Sequence, residues 1–156
     1  MKANNFSLPS EYTIRPASSN DLWSIRYLVF SAILDPTQLH WQQFWIIECQ
    51  NKIVACGQLR NFYQAQELGS LVVKPAWRGR GLATFLIQHL IHTATQPLYL
   101  ECLGERLAQF YQRFGFVATN FEDLPNSLQK KFKFTHLAQK FGKLPVVFMQ
   151  HHDFRS

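Results

Sequence analysis

The chain has few cysteines and no cysteine pair at metal-ligand spacing. Its three cysteines, Cys49, Cys56 and Cys102, are an odd number and lie far apart in the sequence. A Cys-x-x-Cys pair, which typically marks a zinc site or a redox motif, is absent, and three dispersed thiols do not make a disulfide framework. We therefore expect neither zinc nor disulfides, and a reduced, cytoplasmic setting is the simplest expectation.

Long apolar runs are absent too. No stretch of the sequence approaches the roughly 20 residues that a membrane-spanning helix needs, and Met1–Asn5 lacks the apolar core of a signal peptide. Charged residues are scarce at 17%, whereas hydrophobic residues make up 47% of the 156 residues. This balance excludes intrinsic disorder and predicts one folded domain, residues 1–156, with no membrane partner.

Acidic residues are outnumbered by basic ones, which gives a net charge of +6. Part of the excess lies late in the chain, in Lys130–Lys133 and at Lys140 and Lys143. We interpret this cluster as a solvated helix face. A nucleic-acid contact through Lys130–Lys133 is the disfavoured alternative, and a basic surface also disfavours polycationic partners such as polyamines.

The most informative segment is Arg78–Ala83, with the sequence R-G-R-G-L-A. It follows the apolar run Leu71–Val73 and the breaker Lys74-Pro75, and the helical spacing of apolar residues from Leu82 onward predicts strand, loop and helix. Unpaired N–H groups and the dipole at a helix N-terminus bind anions, and glycines let the backbone approach a bulky ligand. With two arginines at the same end, the segment predicts a diphosphate site.

The loop does not match the two commonest phosphate motifs. No Gly-Lys-Ser/Thr ends it, as a Walker A loop requires, and Gly79-Arg80-Gly81 lacks the third glycine of the dinucleotide fingerprint. Two other interpretations remain open from the residues alone. One is an arginine-rich turn that only begins an amphipathic helix, and the other is an RGG-like nucleic-acid contact.

Two motifs together resemble the GNAT superfamily of N-acetyltransferases. Arg78, Gly81 and Ala83 occupy the defining positions of the acetyl-CoA loop of that family, Gln/Arg-x-x-Gly-x-Gly/Ala. The segment Ala108–Phe116 is similar to its second signature, Ala-x-x-Phe/Leu-Tyr-x-x-x-Gly-Phe, with one residue fewer between the alanine and Phe110. Glu105 departs from the family pattern, which often has asparagine there. The resemblance covers roughly residues 12–120, about two thirds of the chain.

The resemblance implies an α/β fold with a mixed, mostly antiparallel central sheet flanked by helices on both faces. Residues 12–120 would form the core of a single GNAT domain, and 121–156 would add a variable helix plus the last strand. The sequence patterns predict strands at Tyr12–Arg15, Phe44–Cys49, Ile53–Leu59, Glu67–Val73, Leu98–Leu103 and Val146–Met149, with a further strand beginning at Phe116. They predict helices after Ser19–Asp21, from Leu82, up to Gly115, and from Asp123–Ser127 to Gln139.

Several local features accompany these elements. We expect Asp35-Pro36 to end the first helix, a tight turn at Asn51-Lys52 and a bulge at Gly69-Ser70. Gly115 should end its helix in the left-handed conformation, and Phe110, Phe114 and Phe116 should be core residues.

The resemblance implies acetyl-CoA as the co-substrate, with no metal. In the family, the pantetheine arm pairs with the backbone of the strand that precedes the loop, in a gap that opens beside that strand. His89 and His92 share a helix, but no third ligand accompanies them, which agrees with the absence of a metal site. The implied cofactor-binding residues are Leu71, Val72, Val73, Arg78, Gly79, Arg80, Gly81, Leu82, Ala83 and Thr84.

The same resemblance implies two catalytic residues. Glu67 lies eleven residues before Arg78, where the histone acetyltransferase branch has its catalytic base; an ordinary exposed strand glutamate is the alternative. Burial among Trp and Phe side chains would raise the pKa of this carboxyl and help it take a proton from an ammonium. Tyr111 would protonate the departing thiolate, although a buried tyrosine is commonly a packing residue.

The predicted activity is acetyl transfer from acetyl-CoA to a primary amine by direct attack in a ternary complex. No cysteine stands where a covalent acyl-enzyme would be implied. The alternative is a non-catalytic acyl-CoA-binding regulator with the same fold. Lysine side chains, protein N-termini and small amines all fit as acceptors, and the family is compatible with a homodimer.

Overall fold

The structure, a computed structural model, describes residues 7–34 and 37–153. The predicted order of strands and helices is confirmed, and Phe44–Cys49 and Leu98–Leu103 begin and end where the sequence places them. The strands are β1 Tyr12–Pro16, β2 Phe44–Cys49, β3 Lys52–Phe62, β4 Ala65–Val73, β5 Leu98–Leu103, β6 Phe116–Thr119 and β7 Val146–His151. The helices are α1 Leu22–Ser31, α2 Leu82–Thr93, α3 Glu105–Gln112 and α4 Asn126–Lys140.

The strands form a seven-stranded sheet in the order β1-β2-β3-β4-β5-β7-β6. Strands β1 and β2, β2 and β3, β5 and β7, and β6 and β7 pair antiparallel, while β4 and β5 pair in parallel. This mixed, mostly antiparallel sheet, together with the four α-helices of the described residues, confirms the predicted fold class.

The described chain divides into two compact units, each with its own core. The first comprises the described residues of Met1–Leu59 and Ser70–Thr93, and the second comprises those of Arg60–Gly69 and Ala94–Ser156. The first core includes Ile25, Leu28, Val29, Phe44, Ile46 and Val72. The second includes Tyr99, Leu128, Phe132, Val146 and Phe148.

Helix α1 begins after a capped turn in the first unit. The Asp21 carboxylate accepts a hydrogen bond from the backbone N–H of Ser18 at 2.7 Å, and Ser18 and Asp21 together form a capping box. Ser18 caps the turn Ser19–Asp21, and Asp21, within the predicted segment, is the N-cap residue of α1. Asp35-Pro36, the predicted end of the helix, lies outside the described residues.

The hairpin between β2 and β3 turns one residue earlier than predicted. Gln50 and Asn51 both have positive φ, 50° and 61°, which are the left-handed conformations that suit a tight hairpin turn. Lys52 is consequently the first residue of β3 and not a turn residue.

In the second unit, the first part of β4 pairs in parallel with β5, through Gln66 with Leu98 and Glu67 with Tyr99. The Gln66 side chain fixes this alignment. Its Oε1 accepts hydrogen bonds from the backbone N–H groups of Thr95 and Gln96 at 2.8 and 3.0 Å. Its backbone N–H also donates to the Pro97 carbonyl at 2.9 Å.

Phenylalanines near the end of α3 are less buried than predicted. Phe116 is a core residue at 1% exposure, whereas Phe110 and Phe114 are only half-buried. The Arg113 guanidinium lies 5.5 and 5.9 Å from the centroids of these two rings, so a solvated cation covers them in place of core side chains. Gly115 has φ 90°, the predicted left-handed conformation.

Candidate active site

The predicted diphosphate loop has the backbone that its glycines suggest. Gly79 and Gly81 have φ 76° and 78°, in the left-handed region that side chains disfavour. A Cβ added at Gly79 would meet nothing within 4 Å, so open space faces the loop there. Arg78 and Arg80 are both exposed beside these glycines.

The start of α2 presents free backbone donors next to the two arginines. Its first helical hydrogen bond runs from the Phe85 N–H to the Gly81 carbonyl at 3.0 Å. The N–H groups of Leu82, Ala83 and Thr84 therefore precede the first intrahelical bond and carry the positive end of the helix dipole. This is the local chemistry of an anion site, and its role in cofactor binding stays a prediction.

The two arginines of the loop are held by neighbours in the first unit. Arg78 Nε donates to the Val73 carbonyl at 3.1 Å, and Arg80 Nη1 lies 3.4 Å from the Tyr12 hydroxyl. Both guanidiniums are thus tethered near the loop while remaining in solvent.

The strand before the loop is irregular at the predicted place. Ser70 has φ 48° within β4, a conformation that interrupts the regular strand. Val72 is buried, and Leu71 and Val73 are half-buried, so the segment predicted to pair with pantetheine has one face in the core and one toward its surroundings.

Glu67, the predicted base, is buried at 2% exposure, so the alternative of an ordinary exposed glutamate is wrong. Its carboxylate contacts two cations, whereas the sequence predicted aromatic surroundings. Arg60 Nη1 donates to Oε1 at 3.1 Å. Lys131 Nζ donates to Oε1 at 2.6 Å and to Oε2 at 2.5 Å.

Gly69 makes room for the Arg60 guanidinium. A Cβ at Gly69 would lie 2.3 Å from Arg60 Nη1, well inside van der Waals contact. The absence of a side chain at this position of β4 therefore lets the guanidinium reach Glu67.

Lys131 corrects our interpretation of the late lysine cluster. Lys130 and Lys133 are exposed as expected, but the Lys131 side chain is only 12% exposed. Burial lowers the pKa of its ammonium, an effect that the nearby Glu67 carboxylate opposes. Lys131 is thus a buried member of the charged cluster and does not belong to a solvated face.

Helix α4 brings a second polar group to the same cluster. Thr135, one turn after Lys131, donates from Oγ1 to the Glu101 carboxylate at 2.7 Å. Burial raises the pKa of Glu101, the Thr135 hydrogen bond lowers it, and the charge of Glu67 raises it again. Sequence reasoning missed Arg60, Lys131, Glu101 and Thr135; the spacing of Lys131 and Thr135 on one helix face was the available signal.

Tyr111 lies in an aromatic setting within the second unit. It is 7% exposed, and its ring lies 5.4 and 5.9 Å from those of Phe110 and Phe116. Burial raises the pKa of the Tyr111 phenol well above its ordinary value, and Cys102 adds to the effect. The phenol therefore stays protonated at neutral pH and can act as a hydrogen-bond donor.

Two of the cysteine thiols are held in the protonated, unreactive form. Burial raises the pKa of Cys56 to about 12 and that of Cys102 to about 11. Because the thiolate is the nucleophile, neither residue suits a covalent acyl-enzyme, which agrees with the predicted direct attack.

The described residues, 7–34 and 37–153, contain neither a metal-ligand cluster nor a helix that could span a membrane. Within these ranges no three or more His, Cys, Asp or Glu side chains are grouped as a metal site. In the same part of the chain, each helix is too short or too polar to cross a bilayer.

Comparison with known proteins identifies the family. Residues 40–118 match the acetyltransferase (GNAT) domain. The chain is 27% identical over 141 residues to the amino-acid acetyltransferase of Buchnera aphidicola subsp. Acyrthosiphon pisum (strain APS), an alignment that covers 81% of this chain and 32% of the relative. The chain therefore belongs to the GNAT acetyltransferase family, as its two motifs predict.

Solved structures share the fold at low identity. N-acetylglutamate synthase from Neisseria gonorrhoeae, complexed with coenzyme A and N-acetyl-glutamate, aligns with a TM-score of 0.74 and 19% identity over 94% of this chain and 36% of that one. Rv2747 from Mycobacterium tuberculosis, in complex with CoA, aligns with a TM-score of 0.71 and 20% identity over 88% of this chain and 97% of that one. The chain thus spans about a third of the curated relative and of the gonococcal synthase.

Proposed function

We propose that this protein is an acetyl-CoA-dependent N-acetyltransferase. The match of residues 40–118 to the GNAT domain is the observation that carries the proposal. The two left-handed glycines beside the start of α2 support it, because they give the loop the form that a diphosphate needs. Coenzyme A is the co-substrate, with its diphosphate at Arg78–Thr84 and its pantetheine arm along Leu71–Val73.

We propose an amino acid as the acceptor. The curated relative is an amino-acid acetyltransferase, and a structural neighbour is complexed with N-acetyl-glutamate. Both are relatives of greater length, so the acceptor is an inference from similarity. The sequence left three classes of acceptor open: lysine side chains, protein N-termini and small amines. This proposal selects one kind of small amine, the free amino acids.

Three groups carry the chemistry in this proposal. Glu67 takes the proton from the acceptor ammonium, which gives the amine the lone pair that attacks the thioester. A backbone N–H in Leu71–Val73 polarises the thioester carbonyl. Tyr111, which remains protonated, donates a hydrogen bond to the developing thiolate and so stabilises the leaving group.

The test measures CoA release from acetyl-CoA with a panel of free amino acids, peptides with a free N-terminus, and simple alkylamines. We expect turnover with at least one amino acid and a loss of about a hundredfold or more in kcat for Glu67→Gln. Turnover restricted to peptides or alkylamines would overturn the acceptor assignment but keep the enzyme class.

A second candidate, a non-catalytic acyl-CoA-binding regulator, is favoured by one observation. Both oxygens of Glu67 already accept hydrogen bonds from Lys131, which leaves the carboxylate engaged. Calorimetry with acetyl-CoA separates the two candidates. Tight binding without turnover on any member of the panel supports the regulator, and binding with turnover excludes it.

A further inference from the structure

The ammonium of Lys131 contacts the carboxylate of Glu67, the residue that we propose as the base. Its Nζ is 2.6 Å from Oε1 and 2.5 Å from Oε2 of Glu67. A base that activates an acceptor amine must come within hydrogen-bond reach of that amine. One amine of the chain itself already meets this condition.

The arrangement has the three parts of an activated nucleophile. Lys131 is the amine, Glu67 is the base, and Arg60 orients the base through its 3.1 Å hydrogen bond to Oε1. A nucleophile beside a base that a third group holds is the general pattern of nucleophile activation. Burial shifts the Lys131 amine toward its neutral form by lowering its pKa.

Other charged groups around Lys131 are Arg60 and Glu101. Arg60 opposes the charge of the ammonium, which favours the neutral amine, and Glu101 favours the charged form. Burial also raises the pKa of Glu101, which shifts that carboxyl toward its neutral form and reduces its hold on the ammonium. The two other lysines close to Lys131 in the sequence, Lys130 and Lys133, are exposed.

We propose that Lys131 is a self-acetylation site, at which the chain accepts an acetyl group from its own acyl-CoA co-substrate. This inference rests on the proposed function, since that function supplies acetyl-CoA as the donor. It assigns a modification to one named lysine and distinguishes it from the exposed lysines on the same helix.

The Lys131 ammonium transfers one proton to Glu67, and the neutral amine attacks the thioester carbon and forms an N–C bond. The tetrahedral intermediate collapses with cleavage of the C–S bond, the thiolate takes the remaining extra proton of the nitrogen, and Glu67 releases its proton to solvent. The products are N-acetyl-lysine, CoA thiol and one proton.

The modification changes the electrostatics of the base. An amide carries no charge, so acetylated Lys131 no longer holds the Glu67 carboxylate as an ion pair. Arg60 remains its cation partner, so the carboxylate loses one of its two cations and has more capacity to accept a hydrogen bond from the ammonium of an external acceptor. We therefore expect turnover to accelerate as Lys131 becomes modified.

The experiment incubates the full chain with acetyl-CoA and no added acceptor, then maps acetyl-lysine by peptide mass spectrometry. We expect one acetyl group at Lys131, formed at least about tenfold faster than at Lys130 or Lys133. The Glu67→Gln variant should lose this preference while the exposed lysines react at their unchanged slow rate. Equal labelling of the three lysines, or none at Lys131, overturns the inference.

A parallel assay with amino-acid acceptors separates this inference from the proposed function. Multiple turnover on an external acceptor without acetylation of Lys131 contradicts self-acetylation but supports the proposed enzyme activity. A labelled Lys131 without turnover on any acceptor keeps self-acetylation and removes the external acceptor. If neither turnover nor acetylation of Lys131 is detected, both the proposed function and self-acetylation are contradicted. The wild-type chain decides each case, so the result does not depend on whether a variant folds.

Discussion

At the scale of single residues, one buried carboxylate is held by cations that come from two different elements. Glu67 receives Arg60 from the neighbouring strand and Lys131 from 64 positions later in the chain. Removing one partner of a buried ion pair leaves an uncompensated charge, which is far more costly than losing an exposed pair. Variants at Arg60 and Lys131 should therefore affect both stability and activity.

Tyr111→Phe tests the leaving-group assignment. The change removes one hydroxyl and keeps the ring, so packing against Phe110 and Phe116 should persist. We expect kcat to fall by roughly 10–100-fold with CoA affinity unchanged, because the hydrogen bond acts on the developing thiolate. CoA release and calorimetry measure the two quantities.

Tyr99→Phe is the matched control for this change, since Tyr99 is also buried, at 6% exposure, and lies in the second core. Equal losses of kcat in the two variants would attribute the effect to packing and remove Tyr111 from the mechanism.

Gly69→Ala should displace Arg60 from Glu67. The new Cβ would occupy the space 2.3 Å from Arg60 Nη1, so the guanidinium must move. We expect the free energy of unfolding to fall by about 1–3 kcal/mol, as measured by urea unfolding. In an Arg60→Met background the same alanine should cost much less, because the crowded group is gone. Additive effects in this double-mutant cycle would contradict the proposed contact.

At the scale of elements, an ion-paired cluster joins the capped turn before α1 to two strands of the first unit. Arg15 on β1 donates to both oxygens of Asp21 at 2.8 and 3.0 Å and to Glu48 on β2 at 2.6 Å. Asp21 also caps the turn before α1. One carboxylate therefore links a strand to the start of a helix.

This link predicts a pH dependence of stability. The hydrogen bonds from Arg15 lower the pKa of Asp21 to about 2 in the folded chain, against about 3.9 when unfolded. The stabilisation is complete above the unfolded pKa and is lost as the pH falls from about 4 toward 2. Asp21→Asn should cost about 1–2 kcal/mol near pH 7 and less near pH 2.

Urea unfolding at the two pH values measures this effect. The control is Asp153→Asn, because the Asp153 side chain is 83% exposed. A loss from Asp21→Asn that is the same at both pH values would show that the cap contributes by shape alone.

The local sequence pattern predicted the strands and helices well. It could not predict which side chains packing would bury. Apolar periodicity and turn residues placed β2, β5 and α4, because these signals are short-range. The same pattern treated Lys130, Lys131 and Lys133 as one solvated group. Which of them faces the sheet depends on how α4 packs against partners such as Tyr99 and Phe148, and neighbouring residues do not encode that.

The candidate site likewise has one part that the sequence predicted and one part that it did not. The glycine loop before α2 follows from a contiguous motif, and the sequence predicted it as a place of close backbone approach. The left-handed φ angles of Gly79 and Gly81 were found in the structure. The cations on Glu67 come from separate strands and helices, so no local signal names them. The sequence left Glu67 open between a buried base and an exposed strand glutamate, and it did not indicate the cations that surround the carboxylate.

At the scale of the whole molecule, the net charge of +6 favours association with an anionic co-substrate. We expect Arg78→Ala and Arg80→Ala each to weaken CoA binding by about 3–10-fold, with a smaller effect at high salt because ions screen exposed charges. Calorimetry at two ionic strengths checks this.

Lys130→Ala removes the same charge from an exposed site outside the loop and serves as the control. If it weakens CoA binding as much as Arg80→Ala does, the overall charge and not the loop governs affinity, and the predicted diphosphate site is lost.

The hydrogen bonds of the Gln66 side chain determine more than local order. Side chains of a strand point alternately to opposite faces, so a shift of β4 by a single residue would turn the Glu67 carboxylate through the sheet and away from Lys131. Gln66 disfavours this shift of register, because its side chain accepts hydrogen bonds from the backbone of Thr95 and Gln96. Gln66→Ala should then impair the proposed acetyl transfer indirectly, because a second alignment of the strand would become populated.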